Sequence, residues 1–444
     1  MAAGSDVAGA GRAGEVTTCH RGRSAAPGST GCGRAGRVWR LTRLRLAIAL
    51  AALAAARCLA EPTYLIILGQ PEEFASEFPP AAPGGERLVG FGPVLYTLKT
   101  PSEQLVTQVS AQLDKAEQTG YPVMVHLDDW NYPSPSTDPE VVEWTAFPAE
   151  GESHGPLVRR RWINWGSWFV VEAPPNYESR GFRAEVQPRF SAVAHAIAVR
   201  LERWRGEGRS QLFAGLVVGW ESGYYTADDF RPGERPRAGA ESFGDDEIVR
   251  TGYAALTARG HTAASVRDSA RKANTSEAQV LRDLMVGVVH DYTAFLTAVC
   301  RAAGVPAERI YTHYTGVAAL PPESMPGPLR EDGRNLPLWA AVNGDSRPGI
   351  TATVPWTDVG RAAAMFREAG RGDWGAVEVE FTEQTRAEDA AFAYLDALST
   401  NGARVICVYG WWDPPGSTFG VRGSGAVPAM KRWLAGGAGA AGPR

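Results

Sequence analysis

The sequence predicts an α/β fold, a (β/α)8 TIM barrel with a long loop insertion after the fourth strand. Three observations lead there. Eight short apolar runs alternate with helix-like stretches, the pattern of a parallel sheet with helical crossovers. Most runs are almost continuously apolar, as strands covered on both faces are. The first run, "TYLIIL" at 63–68, continues into "GQPEEF" with one glycine, too few for the phosphate loop of a doubly wound nucleotide-binding sheet.

The strand-like runs lie at 63–68, 123–130, 167–173, 212–222, 310–314, 350–356, 376–381 and 404–412. Helix candidates fall between them at 102–118, 190–204, 281–304, 358–370 and 387–402. In the last four, apolar residues recur at three and four, the helical period, and several candidates end in Gly. A further run, "LVGFGPVLYTL" at 88–98, reads as an insertion or hairpin after the first strand. The connection Gly223–Asn274 is far longer than a barrel loop needs and reads as a lid or small subdomain. The barrel is therefore expected over 61–435, with 436–444 as a flexible tail.

Residues 1–60 do not fit the barrel pattern. Arg37, Arg40, Arg43 and Arg45 precede an apolar stretch, Leu46–Ala56, and then Cys58-Leu-Ala60. A basic region, an apolar core and small residues at a cleavage site make a secretory signal peptide. The apolar stretch is shorter than the roughly 20 residues that cross a bilayer. Arg57 stands where a lipid-attachment motif wants a small residue, and the leader before Val38 is long enough to place the true start downstream. The expectation is a secreted or periplasmic protein with no membrane span once the signal is removed.

The chain has 45 basic and 49 acidic residues, and nine arginines and two acids fall within the first 60, leaving 36 against 47, a net charge of −11. An acidic surface argues against nucleic-acid binding, which uses basic patches. Three of the five cysteines leave with the leader. Cys300 and Cys407 read as small buried hydrophobes, so the fold rests on its core rather than on disulfides.

In a barrel the chemistry lies at the carboxyl ends of the strands. Those ends carry Asp128, Asp129 and Trp130; Glu172; Trp220 and Glu221; His313 and Tyr314; Trp356; Glu378 and Glu380; and Trp411 with Trp412. No serine elbow, Cys–His pair or zinc-helix motif accompanies them. Two carboxylates across a cleft can cleave a glycosidic bond, one as acid and the other as nucleophile or base. Flat indole and phenol rings suit sugar faces, and acidic side chains accept from hydroxyls. The composition therefore points to an oligo- or polysaccharide substrate, with no cofactor. His126 and His290 read as ordinary strand and helix histidines.

These strand ends resemble those of the clan A glycoside hydrolases, retaining (β/α)8 enzymes, as a divergent family. The resemblance implies Glu221, after the fourth strand, as acid/base and Glu380, after the seventh, as nucleophile. "EVEF" is similar to the clan's Glu-Phe ending, "IYTHY" to its His/Tyr-bearing strand, and Trp411-Trp412 to the tryptophan flooring the sugar site. The strand-end reading adds Asp128, Asp129, Trp130, Glu172, Trp220, His313, Tyr314, Glu378, Trp411 and Trp412 as substrate contacts. Trp220 departs from the pattern, because the clan places Asn before the acid/base. Glu378 shares a face with Glu380 and is the alternative nucleophile. Two other readings stay open: a metal-assisted lyase, isomerase or hydrolase using Asp128, Glu172, Glu221, His313 and Glu380, and a non-catalytic carbohydrate-binding barrel.

Overall fold

The computed structural model describes residues 61–81, 84–129, 136–158, 161–163, 168–170, 173–220, 222–224, 251–315, 338–353, 357–417 and 420–436. All lie in the unit Glu61–Arg444. Residues 1–60, expected to be a signal peptide, residues 225–250 of the expected insertion, and residues from 437 on lie outside the described residues.

In chain order the strands are β1 (Thr63–Leu68), β2 (Arg87–Gly92), β3 (Val94–Tyr96), β4 (Val123–Asp128), β5 (Arg161–Ile163), β6 (Trp168–Val170), β7 (Phe213–Val217), β8 (Ile310–Tyr311), β9 (Tyr314–Thr315), β10 (Gly349–Thr353), β11 (Trp374–Glu380) and β12 (Ala403–Val408). The helices are α1 (Pro71–Phe74), α2 (Ser102–Thr119), α3 (Arg180–Gly206), α4 (Tyr253–Ala258), α5 (Ala263–Ala273), α6 (Glu277–Ala302), α7 (Val359–Glu368), α8 (Glu388–Thr400) and α9 (Ala426–Leu434). The sheet runs β8-β7-β4-β2-β1-β12-β11-β10-β9, every pair parallel. β8 and β9 belong to one stretch of chain, 310–315, so the sheet closes on itself through eight positions, a (β/α)8 barrel.

Two runs differ from the sequence reading. The run at 88–98 is no hairpin: β2 pairs with β1, and β3, beyond Pro93, pairs with β4. It supplies the second barrel strand. β2 also meets β4 through Phe91; Pro93 has no amide to donate, and beyond it the run keeps β4 alone, with the Pro93 carbonyl accepting from His126 N–H at 2.9 Å. The run at 167–173 contributes β6, which pairs antiparallel with β5 in a separate two-stranded sheet. The sequence therefore miscounts strands two and three, yet the fourth and the seventh fall where it placed them.

Alternation sorts the strand residues. Tyr64, Ile66, Leu68, Leu88, Met124, Tyr311, Val377 and Val405 fill the barrel interior. Leu65, Ile67, Val89, Phe91, Val123 and Val125 pack outward against the helices. The helices begin where side chains can accept from the first free amides: Ser179 from Phe182 N, Thr262 from Ser265 N, Ser276 from Gln279 N and Asp358 from Arg361 N. α6 is long and apolar enough to cross a bilayer, but its apolar face, including Val289, Tyr292 and Leu296, is buried in the helix-side core.

The lower end of the barrel is closed by charge. Glu61 receives Arg309 at 2.9 Å and Arg347 at 2.7 Å, and the same guanidinium groups donate to the Tyr64 and Tyr311 hydroxyls.

The close fit of the interior gives a test at Gly90. A Cβ there would lie 2.3 Å from the Pro122 carbonyl oxygen and 2.8 Å from Ile66 Cδ1. Gly90→Ala is expected to destabilise the fold by about 1–3 kcal/mol, the usual cost of overpacking. Chemical denaturation checks this; an unchanged midpoint would contradict the packing described.

Candidate active site

The upper, carboxyl-end layer of the interior is polar. β4 contributes His126 and Asp128, the 310–315 stretch His313, β10 Thr351 and Thr353, and β11 Glu378 and Glu380. The register of β11 shifts against both neighbours, between Ala376 and Val379 on one side and opposite Ile350/Thr351 on the other. This bulge sets Glu378 opposite Thr351 and Glu380 opposite Thr353, so both carboxylates join the inward face that Val377 also occupies.

Hydrogen bonds fix the two glutamates at different depths. His313 Nε2 lies 2.8 Å from Thr351 Oγ1 and 3.3 Å from Glu378 Oε2. Thr353 Oγ1 donates to Glu380 Oε2 at 2.6 Å. Glu378 is 7% exposed, whereas Glu380, two residues nearer the mouth, is half-buried. Trp220, just past β7, sets its ring edge-on to His126 at 5.4 Å and to His313 at 4.8 Å. Burial, with His313 nearby, holds His126 well below the usual histidine range, so it is neutral. Burial and the Glu378 charge keep the Cys407 thiol protonated. Among the described residues, Nδ1 of both histidines lacks a hydrogen-bond partner.

Other expected contacts sit elsewhere. Asp128 reaches the mouth, 4% exposed. Asp129, its neighbour, points to the opposite face of the strand and is fully buried, with Oδ1 accepting from Trp220 N–H at 3.1 Å and Oδ2 from Ser222 Oγ at 3.3 Å. Tyr314 also points outward, its hydroxyl bonded to Thr293 on α6. The Trp411 ring is closed over by Phe74 and Phe78 and donates to the Glu73 carbonyl, leaving 1% exposed and no face for a ligand. Trp412 is 46% exposed beside Tyr409, and Tyr96 is 50% exposed in register with Asp128. Trp130, Glu172, Glu221 and Trp356 lie outside the described residues. Among the described residues no three His, Cys, Asp or Glu side chains are grouped to hold a metal ion.

Sequence reading missed His126, Thr351, Thr353 and Tyr96. A signal for the first three existed: His126 is two residues before Asp128, and "TAT" at 351–353 alternates polar with apolar inside a buried strand. Nothing in the sequence pointed to Glu143. Its carboxylate, fully buried, accepts from the amides of Gly252, Ala254 and Ala255 at 2.9, 3.0 and 3.2 Å, at the start of α4. It thereby ties the 138–158 segment to α4, whose Tyr253 to Leu256 are buried in the core.

No family model matches the chain, and no curated protein matches it in sequence. Among solved structures it is similar to the catalytic domain of a beta-amylase from Paenibacillus polymyxa, at a TM-score of 0.43 and 8% identity over 79% of this chain and 93% of that one. So distant a likeness says nothing of substrate, and the barrel is established by the strand pairing itself.

Desolvation raises two buried carboxyls to about 7: Asp129, where the Asp128 charge adds to it, and Glu143, where the bound amides oppose it. In the unfolded chain both ionise near pH 4. The folded state therefore binds more protons between about pH 4 and 7, and this contribution, complete below that window, is lost as pH rises through it. The melting temperature is expected to be higher at pH 5.5 than at pH 8, with a shallower difference in Glu143→Gln. Equal slopes in the two proteins would contradict the assignment for Glu143.

Proposed function

We propose that this barrel is a retaining glycoside hydrolase, with Glu380 as nucleophile and Glu221 as acid/base. The observation that carries the reading is the inward pair Glu378 and Glu380 at the end of the seventh strand. They stand in a mouth of carboxylates, hydroxyls and aromatic rings, and Glu221 follows directly on Trp220 after the fourth. Glu380 suits the nucleophile because it is nearer the mouth, steadied by the Thr353 hydroxyl; Glu378 lies deeper against His313.

In the first step a Glu380 oxygen bonds to the anomeric carbon as the bond to the leaving oxygen breaks, and the Glu221 proton passes to that oxygen. In the second, Glu221 takes a proton from water, the water oxygen bonds to the anomeric carbon, and Glu380 departs as carboxylate. Exposed Tyr96 and Trp412 offer ring faces at the rim, and the 223–274 insertion acts as a lid that sets the number of sugars held. Residues 1–60 act as the export signal, so protein recovered outside the cytoplasm is expected to begin at Glu61, as N-terminal sequencing would show.

The decisive variants are single. Glu380→Ala is expected to lose turnover by about 10⁴-fold or more and to regain it with azide, giving a product of inverted configuration. If Glu378→Ala behaves this way and Glu380→Ala does not, the nucleophile is the deeper residue. Loss without azide rescue in either variant would reject double displacement.

A further inference from the structure

We infer that Asp129 is a positioning residue for Glu221, holding the chain on both sides of it from behind the barrel wall. The inference rests on the reading of Glu221 as acid/base. Asp129 directly follows β4, the third barrel strand, and faces away from the mouth, fully buried, so it touches no substrate. Its two oxygens are divided between the residues flanking Glu221: Oδ1 takes the Trp220 amide proton and Oδ2 the Ser222 hydroxyl. Ser222 is itself buried, and its amide donates to the Gly219 carbonyl at 3.2 Å, so the turn is gripped from two directions. Gly219 carries a φ of 73°, and a Cβ there would lie 2.7 Å from Thr293 Cγ2, so the turn is built against α6.

The bracket works through either form of the acid. As carboxylate, Asp129 accepts both hydrogen bonds. When protonated, its carbonyl oxygen still accepts from Trp220 N–H while its hydroxyl donates to Ser222 Oγ. Asparagine reproduces that second pattern; alanine abolishes both. The groups facing Asp129 are Asp128, Tyr292 and Cys300 on α6, and Tyr314 on β9. None of them replaces the grip on Trp220 and Ser222.

The test compares leaving groups in the protein lacking residues 1–60, using 2,4-dinitrophenyl and 4-methoxyphenyl glycosides of the sugar the wild type hydrolyses. Only the methoxyphenyl group needs a well-placed proton. Glu221→Ala is expected to lose about 10²- to 10⁴-fold in glycosylation rate on the methoxyphenyl substrate, and far less on the dinitrophenyl one. Asp129→Ala is expected to show the same split at about 10- to 100-fold, below the full acid contribution, with KM little changed, and Asp129→Asn to restore most of it. Should Asp129→Ala fail to fold, Ser222→Ala, which removes one bond of the two, is expected to give the split in weaker form. Equal losses on both substrates in the Asp129 and Ser222 variants, with the split kept in Glu221→Ala, overturn the positioning role and leave the glycosidase reading standing. Absence of the split in Glu221→Ala overturns that reading, and the positioning role with it.

Discussion

The stretch 310–315 pairs with β7 through Ile310 and Tyr311 and with β10 through Tyr314 and Thr315, and that double pairing turns an open sheet into a barrel. Closure removes both sheet edges and encloses an interior wide enough only for side chains. The contents of that interior follow from the limit. Tyr64, Ile66, Leu68, Met124 and Tyr311 are large, so the second strand meets them with Gly90 and Gly92, opposite Ile66 and Leu68 in register. His313 is carried between the two pairings, where the chain passes from one neighbour to the other.

Charge is divided along the barrel axis. Arg309 and Arg347 are gathered below around Glu61, and Asp128, Glu378 and Glu380 stand above, with the apolar layer between. Of the upper carboxylates, Glu380 accepts from the Thr353 hydroxyl and Glu378 lies against His313. Behind the wall, Asp129 and Glu143 each hold chain that follows the fourth strand: Asp129 accepts from the Trp220 amide and the Ser222 hydroxyl, and Glu143 from the amides of Gly252, Ala254 and Ala255.

Much of this was legible in the sequence. Runs such as 63–68 and 376–381 declare buried strands, and a strand-end glutamate after two of them is visible without coordinates. What misled was the second strand, whose glycines and Pro93 make "LVGFGP" resemble a turn, although the glycines are there because Ile66 and Leu68 fill the space. The run at 167–173 misled in the opposite sense, since a short apolar strand reads alike in a barrel or in a hairpin. Asp128-Asp129 shows the limit of strand-end reading. Adjacent residues on a strand face opposite ways, so one aspartate lines the mouth while the other braces the turn before Glu221. Trp411-Trp412 divides similarly, one ring buried under α1 and the other exposed. Glu143 was illegible because its partners, Gly252 to Ala255, lie more than a hundred residues away.

The central claim is that a seventh-strand glutamate forms a bond to sugar. Incubation with an activated 2-deoxy-2-fluoro glycoside, which slows the second step more than the first, followed by peptide mass spectrometry, tests it most directly. The account predicts one fluoroglycosyl group per chain, carried on Glu380. A label on another residue, or steady hydrolysis with inverted product and no labelled peptide, would contradict it.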